Sequence, residues 1–157
     1  MTVQDDVTEG SCRCGQVKLR LRGQPVMTMA CHCIGCQKMT ASAFSLSALY
    51  PADALDVSGL EPVLGGMHGE SHHHCCPNCM SWLFTRAEMM GPFVNVRPTM
   101  FDGARAFRPF FESFTSEMLP WAKTPAVHSF EKFPPSDQFP ALMAEFAEAQ
   151  AGASATP

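Results

Sequence analysis

Seven of the eight cysteines of this chain fall into three short clusters, and their spacing is typical of metal-binding turns. The clusters read Cys12-x-Cys14, Cys31-x-Cys33-x-x-Cys36 and Cys76-x-x-Cys79. Thiolates one or two residues apart converge on one ion from a tight turn, and tetrahedral zinc takes many of its ligands in this way. Four sulfurs close a structural zinc site, whereas three leave one position open for chemistry. Seven clustered cysteines therefore suggest one site of each kind.

The alternative to metal is a disulfide framework, which secreted domains use. The polar, acidic segment 1–10 has neither the basic start nor the apolar stretch of a secretory signal. We therefore expect a cytoplasmic location, where thiols stay reduced, and we favour metal sites over disulfides. A redox sensor with paired thiols is the remaining intracellular alternative.

Composition limits the classes of partner that the protein is expected to bind. The 157 residues are 46% hydrophobic, which suits one domain with a real core. Eleven Lys and Arg against fifteen Asp and Glu give a net charge of −4, which argues against nucleic-acid binding. No apolar run is long enough to span a bilayer, so we expect no membrane partner.

The elements that must position the cysteines are predicted to be short strands, because thirteen prolines limit long helices. Alternation of apolar and polar residues predicts a strand over 16–22, and a helix is expected at 138–150, where apolar residues recur at helical spacing. The other predicted strands or extended segments are 44–50, 55–57, 62–64, 67–74, 82–85, 93–96 and 107–114.

Three motifs together resemble the glutathione-dependent formaldehyde-activating enzyme family, also called the centromere-protein-V-like domain. They stand in the family's order, and later segments at 111–121 and 130–134 are similar to its C-terminal part. The motifs are Gly10-Ser-Cys12-Arg-Cys14-Gly15-Gln-Val17, Cys31-His-Cys33-Ile-Gly-Cys36-Gln-Lys38 and Cys76-Pro-Asn-Cys79-Met-Ser-Trp-Leu-Phe84.

The resemblance implies a mainly β, β-tent-like zinc-binding fold of several short antiparallel sheets, with a short C-terminal helix. It divides the chain into a flexible leader (1–9), the zinc-binding domain (10–135) and a C-terminal helix with a loose tail (136–157). It implies two zinc ions per chain, one structural and one reactive. The structural ion is assigned to Cys12, Cys14, Cys76 and Cys79, and the reactive one to Cys31, Cys33 and Cys36.

The implied activity is that of a carbon–sulfur lyase or synthase that joins glutathione and formaldehyde, or another small aldehyde, reversibly. Cys31, Cys33 and Cys36 are then the catalytic residues, and Lys38 is a candidate for binding the glutathione carboxylates. The protein is expected to be a monomer or a homodimer. The alternative function is a non-catalytic zinc-binding interaction module, or a module that binds a thiol adduct.

Two positions depart from the family pattern. Met80 follows the last cysteine of the third cluster, where the family usually has glycine. Met39-Thr40-Ala41-Ser42 follows the central cluster, where the family often has Thr-Gly or a similar pair. Glycine just after the last zinc cysteine commonly permits the left-handed turn of a zinc knuckle, so Met80 predicts some local adjustment.

Several side chains near the clusters leave alternatives open. The second site could instead be structural, closed by His32, by Cys75 or by a histidine from 72–74. These three histidines are otherwise expected to lie on an exposed polar strand, where one could act as a proton shuttle. Cys75 is expected to be a spare buried thiol, and Trp121 is expected to pack in the core.

Overall fold

The computed structural model describes residues 6–67 and 69–154, and most of its regular elements are strands. The predicted mainly β fold is therefore confirmed. The strands are β1 (Val7–Ser11), β2 (Val17–Arg22), β3 (Met27–Cys31), β4 (Ser45–Pro51), β5 (Leu55–Gly59), β6 (Val63–Gly65), β7 (Ser71–Cys75), β8 (Trp82–Ala87), β9 (Phe93–Val96), β10 (Phe111–Ser113) and β11 (His128–Ser129). The helices are α1 (Ile34–Thr40) and α2 (Phe139–Ser154).

The described chain forms two compact units. Unit 1 comprises the described residues of Met1–Pro25 and Ser47–Phe107, and unit 2 comprises those of Val26–Leu46 and Arg108–Pro157. Each unit has its own sheet strands and its own cysteine cluster.

The first sheet of unit 1 has β2 between β1 and β5, and both pairs are antiparallel. The predicted alternation in β2 buries Val17, Leu19 and Leu21 and exposes the basic residues that follow each of them. Burial of an aliphatic side chain of this size contributes about 1.5–3 kcal/mol. All three belong to the core cluster of this unit.

The second group of strands in unit 1 has the order β4-β9-β8-β7-β6, and the neighbours are antiparallel. Leu83 of β8 and Val94 of β9 are fully buried in the same core cluster. The turn between β7 and β8 carries Cys76 and Cys79, and the turn between β1 and β2 carries Cys12 and Cys14. Two hairpins of unit 1 therefore each present a pair of cysteines.

In unit 2, β10 lies between β3 and β11 and pairs with both in parallel. The sequence analysis predicted antiparallel sheets, so these parallel pairs were not expected. Parallel partners are joined by long crossover connections, so local sequence carries no sign of them. Helix α2 buries Leu142 and Phe146, and Phe146 meets Phe110 edge to face with ring centroids 5.3 Å apart.

Four details of the sequence prediction need correction. The predicted leader 1–9 is wrong for 7–9, which belong to β1; residues 1–5 lie outside the described residues. The predicted loose tail is wrong up to Ser154, where α2 ends, and 155–157 lie outside the described residues. Only Phe111–Ser113 of the predicted strand 107–114 is a strand. Helix α1 was not predicted, because its seven residues bury no side chain and so carry no apolar periodicity.

The described residues include no helix long and apolar enough to cross a membrane.

Candidate metal centres

The four-cysteine cluster of unit 1 consists of Cys12, Cys14, Cys76 and Cys79, whose sulfurs lie within 4.8 Å of one another. Cys12 Sγ is 3.4 Å from Cys14 Sγ, which is 3.8 Å from Cys76 Sγ. Sulfurs about 2.3 Å from a tetrahedral zinc stand about 3.8 Å from each other. The donor set and its spacing therefore fit one zinc ion.

Two tight turns hold this cluster together. In the first, the Gly15 N–H donates to the Cys12 carbonyl at 3.0 Å, and in the second the Met80 N–H donates to the Cys76 carbonyl at 3.0 Å. Ser81 links the two turns, since its Oγ accepts from the Arg13 N–H at 3.2 Å and lies 3.2 Å from Cys79 Sγ. The Ser81 hydroxyl is thus directed at a cysteine sulfur and is fixed by the opposite turn.

Hydrogen bonds favour the thiolate form of Cys79 and Cys12. At Cys76 the Cys79 N–H lowers the pKa, but burial and the neighbouring thiols outweigh it and raise the pKa to about 11. The bond from Ser81 is the largest influence on Cys79 and lowers its pKa to about 5. Burial opposes ionisation of Cys12, but the Val17 N–H, 3.3 Å from Cys12 Sγ, and the neighbouring thiols outweigh it and lower its pKa. Thiolates are the form that binds zinc.

The three-cysteine cluster of unit 2 consists of Cys31, Cys33 and Cys36, and their sulfurs also lie within 4.8 Å of one another. Cys31 ends β3, Cys33 is the N-cap of α1, and Cys36 lies in the first turn of that helix. The Sγ of Cys33 accepts from the Cys36 N–H at 3.3 Å, as a capping serine hydroxyl would. A strand end and a helix start therefore bring the three sulfurs together.

The three thiols of this cluster differ in the direction of their pKa shifts. The thiol of Cys36 donates to Cys31 and, with the buried Ser113 hydroxyl, holds the pKa of Cys31 at about 5 despite burial. The same bond to Cys31, followed by burial, raises the pKa of Cys36 well above its usual range, although the Ser45 hydroxyl opposes this. Burial raises the pKa of Cys33. Without a cation, the cluster thus favours one thiolate among three sulfurs, and a bound divalent cation is what would stabilise all three as thiolates.

Among the described residues, no further ligand atom of a His, Cys, Asp or Glu side chain joins these three sulfurs within 4.8 Å. The alternative fourth ligands, His32, Cys75 and the histidines at 72–74, are not in this group. The arrangement is therefore three sulfurs without a fourth protein ligand from the described Cys, His, Asp or Glu residues. Three protein ligands with one open position are typical of a catalytic zinc site, whereas four are typical of a structural one.

The comparisons with known proteins bear on this arrangement. The model of the family described as glutathione-dependent formaldehyde-activating enzyme matches residues 7–117, which is most of the chain. The chain belongs to this family. A crystal structure of a Rhodobacter sphaeroides protein is also similar, with a TM-score of 0.50 over 60% of this chain and 88% of that one. At 17% sequence identity, this likeness concerns the fold alone.

The two departures from the family pattern both fall on left-handed backbone. Ala41, the C-cap of α1, has φ 51° and ψ 38°, and Met80 has φ 58°. Both turns therefore keep left-handed backbone without glycine. The local adjustment predicted at Met80 is not a change in the type of turn. A side chain in this conformation costs roughly 1 kcal/mol relative to glycine.

His32 lies between two cysteines of the family motif and is fully buried. Its Nε2 is 2.8 Å from Oε2 of Glu112 in β10. Glu112 also accepts from Ser129 Oγ at 2.6 Å and from Thr124 Oγ1 at 2.8 Å. Burial opposes ionisation of Glu112, but the bonds from Ser129, His32 and Thr124 lower its pKa overall.

Other residues singled out in the sequence belong to neither cluster. Cys75 is buried, burial raises its pKa, and its sulfur is packed against Gly65, where an added Cβ would be 2.8 Å away. His72 is exposed as predicted, but His73 and His74 are half-buried. His73 Nδ1 is 2.9 Å from Thr85 Oγ1, and His74 stacks on Phe84. Burial is the main cause of a lowered pKa for both histidines.

Lys38 and Trp121 are the remaining residues singled out in the sequence. Lys38 is exposed on α1, two residues after Cys36. Trp121 was predicted to pack in the core, and this is wrong, since it is 75% exposed. Sequence reasoning also missed Ser45, Ser113 and Glu112, because they reach His32 and the three-cysteine cluster from other elements and have no spacing in common with it.

Proposed function

We propose that this protein joins a thiol, glutathione, to a small aldehyde such as formaldehyde, reversibly, as an S-(hydroxymethyl)glutathione synthase-like carbon–sulfur lyase. The observation that carries the proposal is the convergence of three sulfurs, without a fourth protein ligand among the described residues, on a chain of this family. An open position beside soft sulfur ligands suits an incoming thiolate.

We assign one zinc ion to each cluster. Cys12, Cys14, Cys76 and Cys79 would hold the structural ion, which cross-links the β1–β2 and β7–β8 hairpins within unit 1. The other three clustered cysteines would hold the reactive ion. When bound there, zinc supplies a positive charge that keeps an added thiol ionised at neutral pH.

The protein's own residues then bind and orient the reactants. The hydroxyls of Ser45 and Ser113 fix the sulfurs of Cys36 and Cys31, and the ammonium of Lys38 binds a glutathione carboxylate at the exposed end of the site. Orientation of sulfur and carbonyl carbon within bonding distance is the main source of rate enhancement.

The reaction balances without a redox partner. The glutathione sulfur bonds to the carbonyl carbon as the carbon–oxygen π bond opens, and the thiol proton ends on the new hydroxyl. The reverse reaction breaks the carbon–sulfur bond and returns the thiol and the aldehyde. No nicotinamide, flavin or other electron carrier is needed.

The test is the exchange rate of the formaldehyde–glutathione adduct, measured by exchange NMR with zinc-loaded protein. Native protein should raise the rate above that of the uncatalysed addition, and Cys33→Ser should return it to that level. Lys38→Ala should weaken glutathione binding several-fold, and Lys123→Ala, another exposed lysine of unit 2, serves as its control.

Two results would oppose the proposal in different ways. Glutathione binding without any zinc-dependent rate for several aldehydes would indicate the non-catalytic binding module. Absence of both binding and rate would remove glutathione chemistry from the site altogether.

A further inference from the structure

Cys33 lies between two peptide groups whose carbonyls both accept hydrogen bonds from Gln37. Nε2 of the Gln37 side chain donates to the His32 carbonyl at 2.7 Å, and the backbone N–H of Gln37 donates to the Cys33 carbonyl at 3.0 Å. Because a peptide group is planar, a bond that fixes its carbonyl also fixes the direction of its N–H. Gln37 therefore sets the orientation of the backbone on both sides of Cys33.

The N–H groups of the same two peptides have other partners. The Ile34 N–H donates to Oε2 of Glu117 at 2.7 Å. The thiol of Cys36 is the main cause of the low pKa of Cys31, and the nearby Cys33 N–H lowers that pKa further. One peptide therefore ends at a cluster sulfur, and the other ends at Glu117.

Glu117 meets α1 a second time through its backbone. Its carbonyl accepts from Gln37 Nε2 at 3.0 Å, so the Gln37 amide nitrogen bonds to two carbonyls at once. Carbonyls only accept, and the NH₂ of the amide is therefore the end of the Gln37 side chain that faces them. A carboxylate of the same size has no donor and could make neither bond.

The turn that carries Glu117 is held in place by the segment that follows β11. Thr115 donates from its N–H and from its hydroxyl to the Phe130 carbonyl, both at 3.1 Å. Ser116 donates in the same way to the Glu131 carbonyl, at 3.4 and 2.7 Å. The turn also lies just after β10, which pairs with β3. Glu117 is therefore fixed relative to the strand that ends in the first cysteine of the cluster.

Helix α1 depends on such contacts, because it has little packing of its own. It has seven residues and buries none of them. Helices of this length are unstable by themselves, and most helices in proteins are stabilised by an apolar face packed against the rest of the fold. Cys33 and Cys36 both belong to the start of this helix, whereas Cys31 is placed by β3. Hydrogen bonds from outside the helix therefore help to decide where two of the three sulfurs lie.

We propose that Gln37 and Glu117 are positioning residues, which hold Cys33 at the spacing from Cys31 and Cys36 that a metal ion needs. The inference rests on the proposed function, because the same cluster is the one assigned to the reactive ion. The two residues act through the backbone on both sides of Cys33. Their loss should loosen the cluster without unfolding unit 2, since Glu117 is exposed and Gln37 is half-buried.

The test reads the three-cysteine cluster in the cobalt-substituted full chain, so that it does not depend on turnover. Glu117→Ala removes the acceptor of the Ile34 N–H, whereas Glu117→Gln keeps an acceptor oxygen and removes only the charge. Gln37→Glu keeps the length of the side chain and removes both of its donor bonds. Glu148→Ala, at another exposed glutamate of unit 2, is the matched control. Subtracting the spectrum of Cys33→Ser protein isolates the absorption of this cluster from that of the four-cysteine cluster.

The two variants that remove hydrogen bonds should lower the metal affinity of this cluster. We expect Glu117→Ala and Gln37→Glu to lower it about tenfold in chelator competition and to shift the sulfur-to-metal absorption bands, because supporting contacts of this kind typically contribute that much or more. Glu117→Gln and Glu148→Ala should match native protein in both measurements. The absorption of the four-cysteine cluster, which belongs to unit 1, should be the same in Glu117→Ala, Gln37→Glu and native protein.

The inference would be overturned in either of two ways. Native affinity and native spectra in both Glu117→Ala and Gln37→Glu would show that α1 places the sulfurs without these bonds. An equal loss in Glu117→Gln and Glu117→Ala would show that the charge of Glu117, rather than its bond to the Ile34 N–H, acts on the metal. The proposed function is judged separately, by the adduct exchange rate of native protein with formaldehyde, so either result can stand beside a measurable zinc-dependent rate.

Discussion

The imidazole of His32 donates from Nε2 to Oε2 of Glu112 at 2.8 Å, and this bond joins the residue between two cluster cysteines to strand β10. The direction of the bond follows from the ionised carboxylate, which only accepts. Two further hydroxyls donate to the same carboxylate. The His32 backbone is held as well, because its N–H donates to the Ser113 carbonyl at 3.0 Å. Glu112 therefore positions the Cys31–Cys33 segment through His32.

Replacing Glu112 should reveal the energy of this buried pair. Glu112→Ala leaves His32 and two hydroxyls without their acceptor, and we expect the free energy of unfolding to fall by about 3 kcal/mol. Glu145→Ala is the matched control, because Glu145 pairs with His128 at 2.9 Å on the surface of unit 2 and should cost about 1 kcal/mol or less. Urea denaturation measures both. Similar losses in the two variants would mean that the His32–Glu112 pair has no special positioning role.

Local patterns in the sequence account for part of this site. The cysteine spacing and the alternation at 16–22 are short-range signals, and both correspond to what the structure contains. The burial of His32 depends on Glu112, which lies 80 residues away in sequence. No periodicity relates two such positions. The failure to predict β1 has a different cause: its partner β2 follows directly in the sequence, but the five residues of β1 bury no side chain and so carry no apolar pattern.

Trp121 illustrates a second limit of sequence reasoning. Tryptophan side chains are highly buried on average, and that general tendency predicted core packing. Its exposure results from the turn at Leu119–Ala122, which directs Ala122 inward instead. A large apolar residue on the surface is a departure from this prior, and such departures commonly mark functional positions.

Glycine at two of the left-handed positions, Ala41 and Met80, should stabilise the protein. Ala41→Gly and Met80→Gly remove the steric cost of a Cβ at φ 51° and φ 58°, and each should raise the free energy of unfolding by up to about 1 kcal/mol. Ala147→Gly, at an exposed position within α2, should instead lower it by about 1 kcal/mol. Thermal and urea denaturation would show the opposite signs. Destabilisation by all three changes would contradict the strain assigned to these turns.

The serines behind the three-cysteine cluster should control how tightly it holds metal. Ser45 and Ser113 are both buried, and the hydroxyl of each favours a lower pKa for one cluster cysteine, Ser45 for Cys36 and Ser113 for Cys31. Loss of such outer contacts typically lowers metal affinity by about tenfold to a hundredfold. We expect Ser45→Ala and Ser113→Ala to show this loss in chelator competition and to shift the sulfur-to-metal absorption bands of cobalt-substituted protein. Ser58→Ala, on the exposed side of β5, should leave both quantities unchanged.

Replacing one cysteine should have a different effect on stability and activity in each of the two clusters. Cys12→Ser opens the four-sulfur site that joins two hairpins of unit 1, and metal binding at such a site is coupled directly to folding. We therefore expect this variant to unfold at much lower temperature, while Cys33→Ser keeps the fold and loses adduct exchange. Cys75→Ala should retain both properties, because Cys75 belongs to neither cluster.

Elemental analysis of the same proteins completes this comparison. Native protein purified without chelator should contain up to two zinc ions per chain, and mild chelation should remove one of them first. Cys33→Ser should contain about one zinc ion, held by the four-cysteine cluster, because a three-sulfur site loses a third of its ligands in this variant. If Cys33→Ser and Cys12→Ser lower thermal stability equally, both sites are structural and the reactive role of the second cluster is lost. If native protein contains no zinc and its thiols are paired as disulfides, both metal assignments fail.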